Sequence, residues 1–357
     1  MLSYMKPRNW QIEDGAQFFH CISRVVDRRF VFGRDEREVF RSIMRKVEAF
    51  SGVEVLTWTI LSNHFHLLLY VPERPSADLI PDEVLLGRVG EICDDEQVES
   101  LRWQLEQWSK PGFEEAKEKL REQYLCRMYD LGQFMKSLKQ RFSLWFNHRH
   151  DRKGTLWEER YRSTVVGGSL ESIYTVAAYI DLNGVRAGLA DDPKDYRWCG
   201  YAEAVAGNPQ ARNGLARVLE EYGHTAEDAT AGKMKASYAW RKVGAAYRRI
   251  LYGIGEDRVD KRGFRPEKIH EVLDRGGKLT RPELLRCRVR HFTDGAVIGT
   301  RAFVEAFFEN HRAWFGKKRK TGARPLTQAG GVYLYSIRDI RVNPVDVPDQ
   351  TPSPSNC

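Results

Sequence analysis

The first 206 residues alternate between strand-like and helix-like patterns of hydrophobic positions. Residues 17–26, QFFHCISRVV, are rich in aromatic and β-branched side chains, which favours a strand. Residues 35–50 then repeat apolar side chains at helical spacing. Two further strand-like runs lie within residues 53–71 and meet tightly at Ser62 and Asn63, so a hairpin is predicted there.

The pattern changes at residues 81–127, which are dense in Asp and Glu and carry Leu and Trp at helical spacing. We predict that this segment is an acidic helical insertion. The next stretch, 131–150, predicts an amphipathic helix with Lys136 and Lys139 off its apolar stripe. The run YRSTVVG after it predicts another short strand.

A last helix is predicted over SLESIYTVAAYIDLNG, with Ser169 as its N-cap and Gly184 as its stop. The order strand, helix, strand, strand, helix, strand is that of the split βαβ unit of a ferredoxin-like fold. The predicted class is therefore α+β, an antiparallel sheet with helices on one face, followed by one extra helix.

The chain also changes character along its length, which predicts its domain organisation. The main domain is predicted over residues 1–206 and includes the insertion at 81–127. The stretch 207–232, which begins near GNPQARNG, is predicted to be a linker. A basic helical accessory region is predicted over 233–320, and a largely disordered Pro/Ser-rich tail over 321–357.

The accessory region contains features that suit DNA binding or docking. Two helices are predicted within residues 281–312, and Gly295 lies between them in a turn that suits a helix-turn-helix. A basic run at 317–320 follows.

Charge and cysteine content narrow the function classes. A net charge of +8 and a pI near 9.1 are compatible with an anionic partner. The six cysteines contain no C-x-x-C pair, which argues against a zinc ribbon or a disulfide framework and favours a reducing, cytoplasmic setting. Neither a signal peptide nor a membrane-spanning run is expected.

The chemistry-bearing stretch is ILSNHFHLLLYV, in which His64 and His66 sit two residues apart in an apolar strand. Alternate side chains of a strand share a face, so both imidazoles are predicted to lie on one face, with Phe65 and Leu67 on the core face. A single histidine there would indicate ordinary packing. Two in register favour a ligand pair for one metal ion or one phosphate.

The last predicted helix offers further site residues. Tyr179 and Asn183 are four residues apart, so they stack on one helical face beside its apolar stripe. A phenol and an amide oxygen are thereby presented together. The alternative is a half-buried tyrosine next to an ordinary helix-terminal asparagine.

The hydrophobic-flanked HFH followed far downstream by YIDLN resembles the HUH transposases that carry a single catalytic tyrosine. Within them it is most similar to the REP-associated tyrosine transposases of bacteria. The supporting segments are FHCISRVVDRRFVF, FNHRHDRKGTLWEERYRSTVV and YIDLNGVRAGLADDPKDYRWCGY. The resemblance covers about residues 15–205 without the acidic insertion.

The resemblance implies a role for each site residue. His64 and His66 would be ligands of Mg²⁺ or Mn²⁺, with Asn183 as the third, and Tyr179 would be the nucleophile that forms a 5′-phosphotyrosine. Two positions depart from the family pattern. Gly184 stands where the family often has Pro, and Asp181 replaces a common Glu.

The resemblance also implies the partner, single-stranded DNA with REP-like hairpins, and a nucleoid-associated location in a bacterium. A homodimer is one arrangement that relatives use. The residues expected to contact DNA are Arg24, Arg28, Arg29, Lys136, Lys139, Trp157, Arg160, Arg162 and Arg186.

Three other functions remain open at this point. A hairpin-binding protein of the same fold without strand transfer would bind DNA even without Tyr179. A relaxase or replication initiator would carry a helicase domain or paired tyrosines, and neither is found in the sequence. A water-using metal hydrolase would need a general base, and Asp181 is predicted to lie on the wrong helix face.

Overall fold

In the computed structural model of this protein, a four-stranded antiparallel sheet forms the centre of the main part of the chain. Its strands are β1 (Gln17–Arg24), β2 (Glu54–Ile60), β3 (His64–Val71) and β4 (Arg162–Val166). They lie in the order β2-β3-β1-β4. This order puts β3 and β1 in the centre of the sheet and β2 and β4 at its edges, as in a ferredoxin-like fold. The predicted ferredoxin-like α+β class is confirmed.

One face of the sheet carries the apolar core. The helices α1 (Arg34–Ser51) and α5 (Leu131–Arg149) pack together beside it. From β3, Phe65, Leu67 and Leu69 enter this core and are fully buried. The alternation in β3 therefore predicted its core face correctly.

The acidic segment between β3 and α5 is helical, as predicted. It forms α2 (Asp82–Gly90), α3 (Asp95–Gln107) and α4 (Glu114–Leu125). Leu85, Leu101 and other apolar side chains give these helices a small core of their own. Their burial explains why Leu recurs at helical spacing within an otherwise acidic segment.

Further helices follow β4, and two of them lie against the sheet. They are α6 (Leu170–Asp181), α7 (Asn183–Arg186), α8 (Gly200–Ala206), α9 (Pro209–Val218), α10 (Gly232–Ile254) and α11 (Pro266–Asp274). Contacts run from α6 to β2 and β3 and from α9 to β2. The extra helix predicted after the ferredoxin-like unit, α6, covers the face opposite α1 and α5.

The start of α6 is as predicted, but its end is not. Ser169 is the N-cap, and its hydroxyl accepts a hydrogen bond from the Ser172 backbone N–H. Gly184, however, is not the stop, because Leu182 keeps helical angles (φ −77°, ψ −10°) and α7 continues the chain. A Cβ on Gly184 would lie 2.6 Å from the ring of Tyr196, so close packing explains the glycine.

The structure describes residues 17–219, 232–256, 262–280, 283, 298–299, 301–310, 312, 320, 322–325 and 335–336. Two compact units divide the chain, one of residues 1–204 with 208–278 and one of 205–207 with 279–357. The stretch predicted as a linker contains α9, and the predicted domain boundaries stay a prediction. None of the described helices is long and apolar enough to cross a membrane.

The second unit contains a small three-stranded sheet. Its strands are β5 (Ile298–Gly299), β6 (Arg324–Pro325) and β7 (Tyr335–Ser336), in the order β5-β7-β6. Helix α12 (Arg301–Asn310) accompanies them and buries Phe308. The predicted turn at Gly295, most of the basic run at 317–320 and most of the tail lie outside the described residues.

Candidate active site

Two histidines of β3 point to the sheet face that α6 covers. His66 is 4% exposed and His64 is half-buried. Their ring centroids are 5.1 Å apart, with the planes inclined by 66°. On the neighbouring strand, Arg24 lies opposite His64 and Ile22 opposite His66. The structure thus places both imidazoles on one face, as strand alternation predicts.

A third imidazole, missing from the predicted site, lies beside His66. His20 of β1 stacks on His66 with centroids 5.3 Å apart, and its Nε2 lies 3.1 Å from His66 Nδ1, at hydrogen-bond distance. Alternation in β1 does place His20 on the face of Ile22 and Arg24. Only the register between β1 and β3 shows that this face adjoins His66.

Burial keeps these imidazoles uncharged. It lowers the pKa of His20 to about 4 and, together with the charge of Arg24, lowers the pKa of His64 to about 4. The pKa of His66 falls to about 3, first through burial and then through electrostatic interaction with His20, His64 and Arg24, which disfavours a further positive charge. All three rings are therefore neutral near pH 7, the form in which histidine ligates metals.

Tyr179 of α6 completes a cluster with these rings. Its ring meets His66 and His20 edge-on, with centroids 6.0 Å and 6.1 Å away, and the residue is 40% exposed. The Arg186 guanidinium lies 5.1 Å above the Tyr179 ring. Asn183, at the start of α7, uses its Nδ2 to donate to the Ile180 carbonyl over 3.2 Å.

A buried carboxylate anchors the C-terminal end of α6. Asp181 is fully buried and accepts hydrogen bonds from the Thr57 hydroxyl (2.9 Å), the Tyr201 backbone N–H (3.0 Å) and the Tyr247 hydroxyl (2.6 Å). Burial raises its pKa to about 6, although these hydrogen bonds lower it in part. This supports the prediction that Asp181 faces away from Tyr179.

The side chains that the sequence predicts as metal ligands are of types that can bind a divalent cation. The donors are two neutral imidazoles from β3, with the Asn183 amide one helical turn beyond Tyr179. Among the described residues no group of three or more His, Cys, Asp or Glu could hold a metal ion. Imidazole nitrogens and amide oxygens are ligands that Mn²⁺ and Mg²⁺ accept. The described contacts bring His64 and His66 together, and Asn183 as a third ligand stays a prediction.

The predicted DNA-contacting residues fall into three groups. Arg24 and Arg186 are half-buried beside the histidines and Tyr179 respectively. Five others are exposed: Arg28, Arg29, Lys136, Arg160 and Arg162. Of these, Arg162 forms an ion pair with Glu159.

Lys139 and Trp157 form the third group, and the structure does not place them where DNA could reach them. They are 7% and 9% exposed. The Lys139 ammonium donates to the Glu159 carbonyl and lies 5.2 Å from the centre of the Trp157 ring. The Trp157 indole N–H donates to the Ser143 hydroxyl. Both side chains hold the segment after α5 against the core, because their polar atoms find partners inside the protein.

The fold and the site define an α+β domain of ferredoxin-like type with an imidazole cluster and a tyrosine on one sheet face. Residues 16–80 match the protein-family model described as "Transposase IS200 like". The predicted resemblance to transposases is thus confirmed over these residues. The matched segment contains both histidines of β3, and Tyr179 lies beyond it.

A solved structure, described as a REP-associated tyrosine transposase bound to a REP hairpin, is also similar. It is 16% identical, with a TM-score of 0.35, and the alignment covers 58% of this chain and 90% of that chain. No curated protein sequence matches this chain.

Proposed function

We propose that this protein cuts and rejoins single-stranded DNA near hairpins, as a transposase-like enzyme with Tyr179 as its nucleophile. One observation carries the proposal: the fold brings the Tyr179 ring to 6.0 Å from that of His66 although the two residues lie in distant segments. The match of residues 16–80 to the IS200-like transposases supports the same class of reaction.

The proposed reaction conserves the energy of the phosphodiester bond, because one P–O ester bond forms as another breaks. The Tyr179 oxygen attacks the scissile phosphorus, a Tyr–O–P bond forms, and the bond from phosphorus to the 3′-oxygen breaks. The proton that Tyr179 loses is matched by the proton that the released 3′-oxygen gains. Another 3′-OH can reverse the step and join a new strand, so no nucleotide triphosphate is needed.

His64, His66 and Asn183 would hold the divalent cation, Mg²⁺ or Mn²⁺. Bound there, the cation would supply Lewis-acid polarisation of a non-bridging phosphate oxygen. The remaining work belongs to the chain itself. Arg186 lies over the Tyr179 ring and Arg24 lies beside His64, so both the nucleophile and the histidine pair have a cation next to them that suits a phosphate.

The exposed cations extend a phosphate-binding surface away from this centre. On β4, Arg162 lies opposite Ile22, which in turn lies opposite His66. Arg28 and Arg29 follow the end of β1 and are exposed. Together these cations allow single-stranded DNA to run across the edge of the sheet. The affinity of such a surface for DNA falls as the salt concentration rises.

The test is a covalent adduct between the full-length protein and labelled DNA hairpins from the flanks of its own gene, with Mg²⁺ or Mn²⁺ on denaturing gels. The wild type should form an adduct, and Tyr179→Phe should form none, because only the phenol oxygen can make the phosphotyrosine bond. His64→Ala should lose the adduct as well.

Tyr174→Phe is the matched control, since it removes a hydroxyl from the same helix; it should leave the adduct unchanged. Tight hairpin binding without an adduct in either metal would contradict the proposed strand-transfer activity and favour a hairpin-binding protein without it. An adduct that persists in Tyr179→Phe would exclude Tyr179 as the nucleophile.

A further inference from the structure

The two ligand histidines of the proposed metal site each engage their Nδ1 atom in the protein. His64 Nδ1 lies 2.6 Å from Asn63 Oδ1, and His66 Nδ1 lies 3.1 Å from His20 Nε2. In both rings it is therefore Nε2 that is left for a ligand. A histidine can bind a metal only through a nitrogen that carries no proton.

The hydrogen bonds of Asn63 determine the tautomer of His64. The Asn63 Nδ2 group donates to the Arg28 carbonyl over 3.0 Å. A carbonyl only accepts, so the other amide atom, which faces His64, must be the oxygen. That oxygen also only accepts, so His64 Nδ1 must carry the hydrogen. The Nε2 atom of His64 is then unprotonated and able to ligate.

The contact between His20 and His66 allows the same tautomer in His66, with the hydrogen on Nδ1. One of the two facing nitrogens must donate to the other. If His66 Nδ1–H donates to His20 Nε2, His66 has its Nε2 free, just as His64 does. The opposite assignment would put the hydrogen of His66 on Nε2 and block that atom as a ligand.

We propose that Asn63 and His20 are positioning residues that hold His64 and His66 in the Nδ1–H tautomer, so that both present Nε2 to one divalent cation. This inference rests on the metal site of the proposed function. Outer hydrogen bonds of this kind commonly fix the ring orientation and raise the basicity of a ligating histidine. Neither residue is a ligand here; each acts through the histidine that it contacts.

Asn63 also ties the site to a strained loop. Asp27 and Arg28 have positive φ values of 56° and 54°, a conformation that side chains rarely adopt. The Asn63 bond to the Arg28 carbonyl and the bond from the Phe32 N–H to the Ser62 carbonyl hold this loop against the β2–β3 turn. The amide that orients His64 therefore also supports the loop that carries two of the predicted DNA contacts, Arg28 and Arg29.

The first test observes the tautomers directly in the metal-free, full-length protein labelled with ¹⁵N-histidine. Nδ1–H and Nε2–H imidazoles differ in their ring-nitrogen shifts, and single variants assign the signals. His64 and His66 should both be Nδ1–H, with His20 accepting at its Nε2. An Nε2–H signal from either ligand histidine overturns the proposal for that residue.

The second test measures Mn²⁺ affinity by EPR titration without DNA. Asn63→Ala and His20→Leu should each bind Mn²⁺ about 10–100-fold more weakly, the usual cost of losing an outer-shell partner. Asn63→Asp and His20→Gln keep an acceptor oxygen and should restore affinity close to the wild type, or above it where the Asp adds charge. Ser62→Ala, in the same turn, is the control.

The outcomes separate the two claims. Suppose that the wild type forms the DNA adduct and binds Mn²⁺, and that all four variants of Asn63 and His20 bind Mn²⁺ as tightly as the wild type. This inference then fails and the proposed function stands. If the wild type binds no Mn²⁺ and forms no adduct, both fail. Circular dichroism melting of each variant shows whether a loss of Mn²⁺ affinity comes from unfolding. If a variant is unfolded, the tautomers measured in the wild type test the proposal instead.

Discussion

The two faces of the four-stranded sheet are built in opposite ways. The face toward α1 and α5 is apolar, with Phe65, Leu67 and Leu69 all fully buried. The face toward α6, called the polar face below, carries the imidazoles of His20, His64 and His66 beside the buried Leu68. A single strand, β3, contributes to both faces because its side chains alternate.

The difference lies in where the partners of each face come from. On the apolar face any well-packed neighbour satisfies a side chain, since burial of apolar surface is non-directional. On the polar face each group needs one particular partner. Asp181, for example, is satisfied by Thr57 of β2 and Tyr247 of α10. Mutations on the apolar face should therefore lower the free energy of unfolding, and mutations of the histidines on the polar face should lower the proposed activity.

Phe65→Ala gives the largest stability loss on the apolar face. Phe65 is fully buried, with its ring centroid 4.6 Å from that of Phe40 and 5.6 Å from that of Trp157. Truncation should lower the free energy of unfolding by about 3–5 kcal/mol, because a cavity remains. Urea unfolding measures this loss. Leu144→Ala, on α5 but 64% exposed, should change it by less than about 0.5 kcal/mol; an equal loss at both positions would contradict this account of the apolar core.

Two buried acids, Asp181 and Asp192, differ in the kind of partner that satisfies them. Asp181 has neutral hydrogen-bond donors, and burial raises its pKa to about 6. Asp192 is also desolvated, but Arg248 and Lys194 form ion pairs with it. Burial alone would raise its pKa; the hydrogen bonds and charges of these two partners lower the pKa below the ordinary value of 3.8.

Asp192→Asn should be the next largest effect. It removes the carboxylate that pairs with the buried Arg248 and leaves Lys194 with Asp195 as its remaining counter-charge, which costs about 3–5 kcal/mol for a broken buried pair. A carboxyl with a depressed pKa stabilises the fold above its ordinary pKa, and this stabilisation is lost as the pH falls below 3.8. The variant should therefore lose less stability than the wild type on acidification through that range.

Unfolding curves recorded above and below that pH for both proteins measure the difference. Asp191→Asn is the matched control, since Asp191 is an exposed neighbour that pairs with the exposed Arg262. An Asp192 variant with unchanged acid sensitivity would show that this ion-pair cluster does not govern the acid side of the stability curve.

Phe30→Ala should have the smallest effect on stability and a selective effect on DNA. Phe30 is 81% exposed in the loop that also carries Arg28 and Arg29. If it stacks on an unpaired base, its loss should weaken single-stranded DNA binding by about 1–3 kcal/mol. The free energy of unfolding should change by less than about 0.5 kcal/mol.

Fluorescence anisotropy with a labelled single strand measures the affinity. Leu189→Ala, another exposed apolar residue, serves as control because it lies outside this loop. An unchanged affinity for single-stranded DNA in the Phe30 variant would show that Phe30 is not part of the proposed DNA-binding surface.

Local patterns predicted the elements well and the partners poorly. The alternation in β3 gave the correct faces, and Ser169 marked the start of α6. Lys139 lies at a position that helical periodicity places off the apolar stripe, yet it is buried. Its ammonium finds the Glu159 carbonyl, a partner that no pattern within α5 reveals.

The sequence by itself determined the order of strands and helices, the core face of the sheet and the positions of His64, His66 and Tyr179 within them. These follow from periodicities of two and 3.6 residues, which are local. Only the tertiary structure decided that His20 meets His66, that Asn63 joins His64 to the loop at Arg28, and that α10 holds Asp181. Such contacts depend on strand register and helix packing between distant segments, which a local periodicity does not encode.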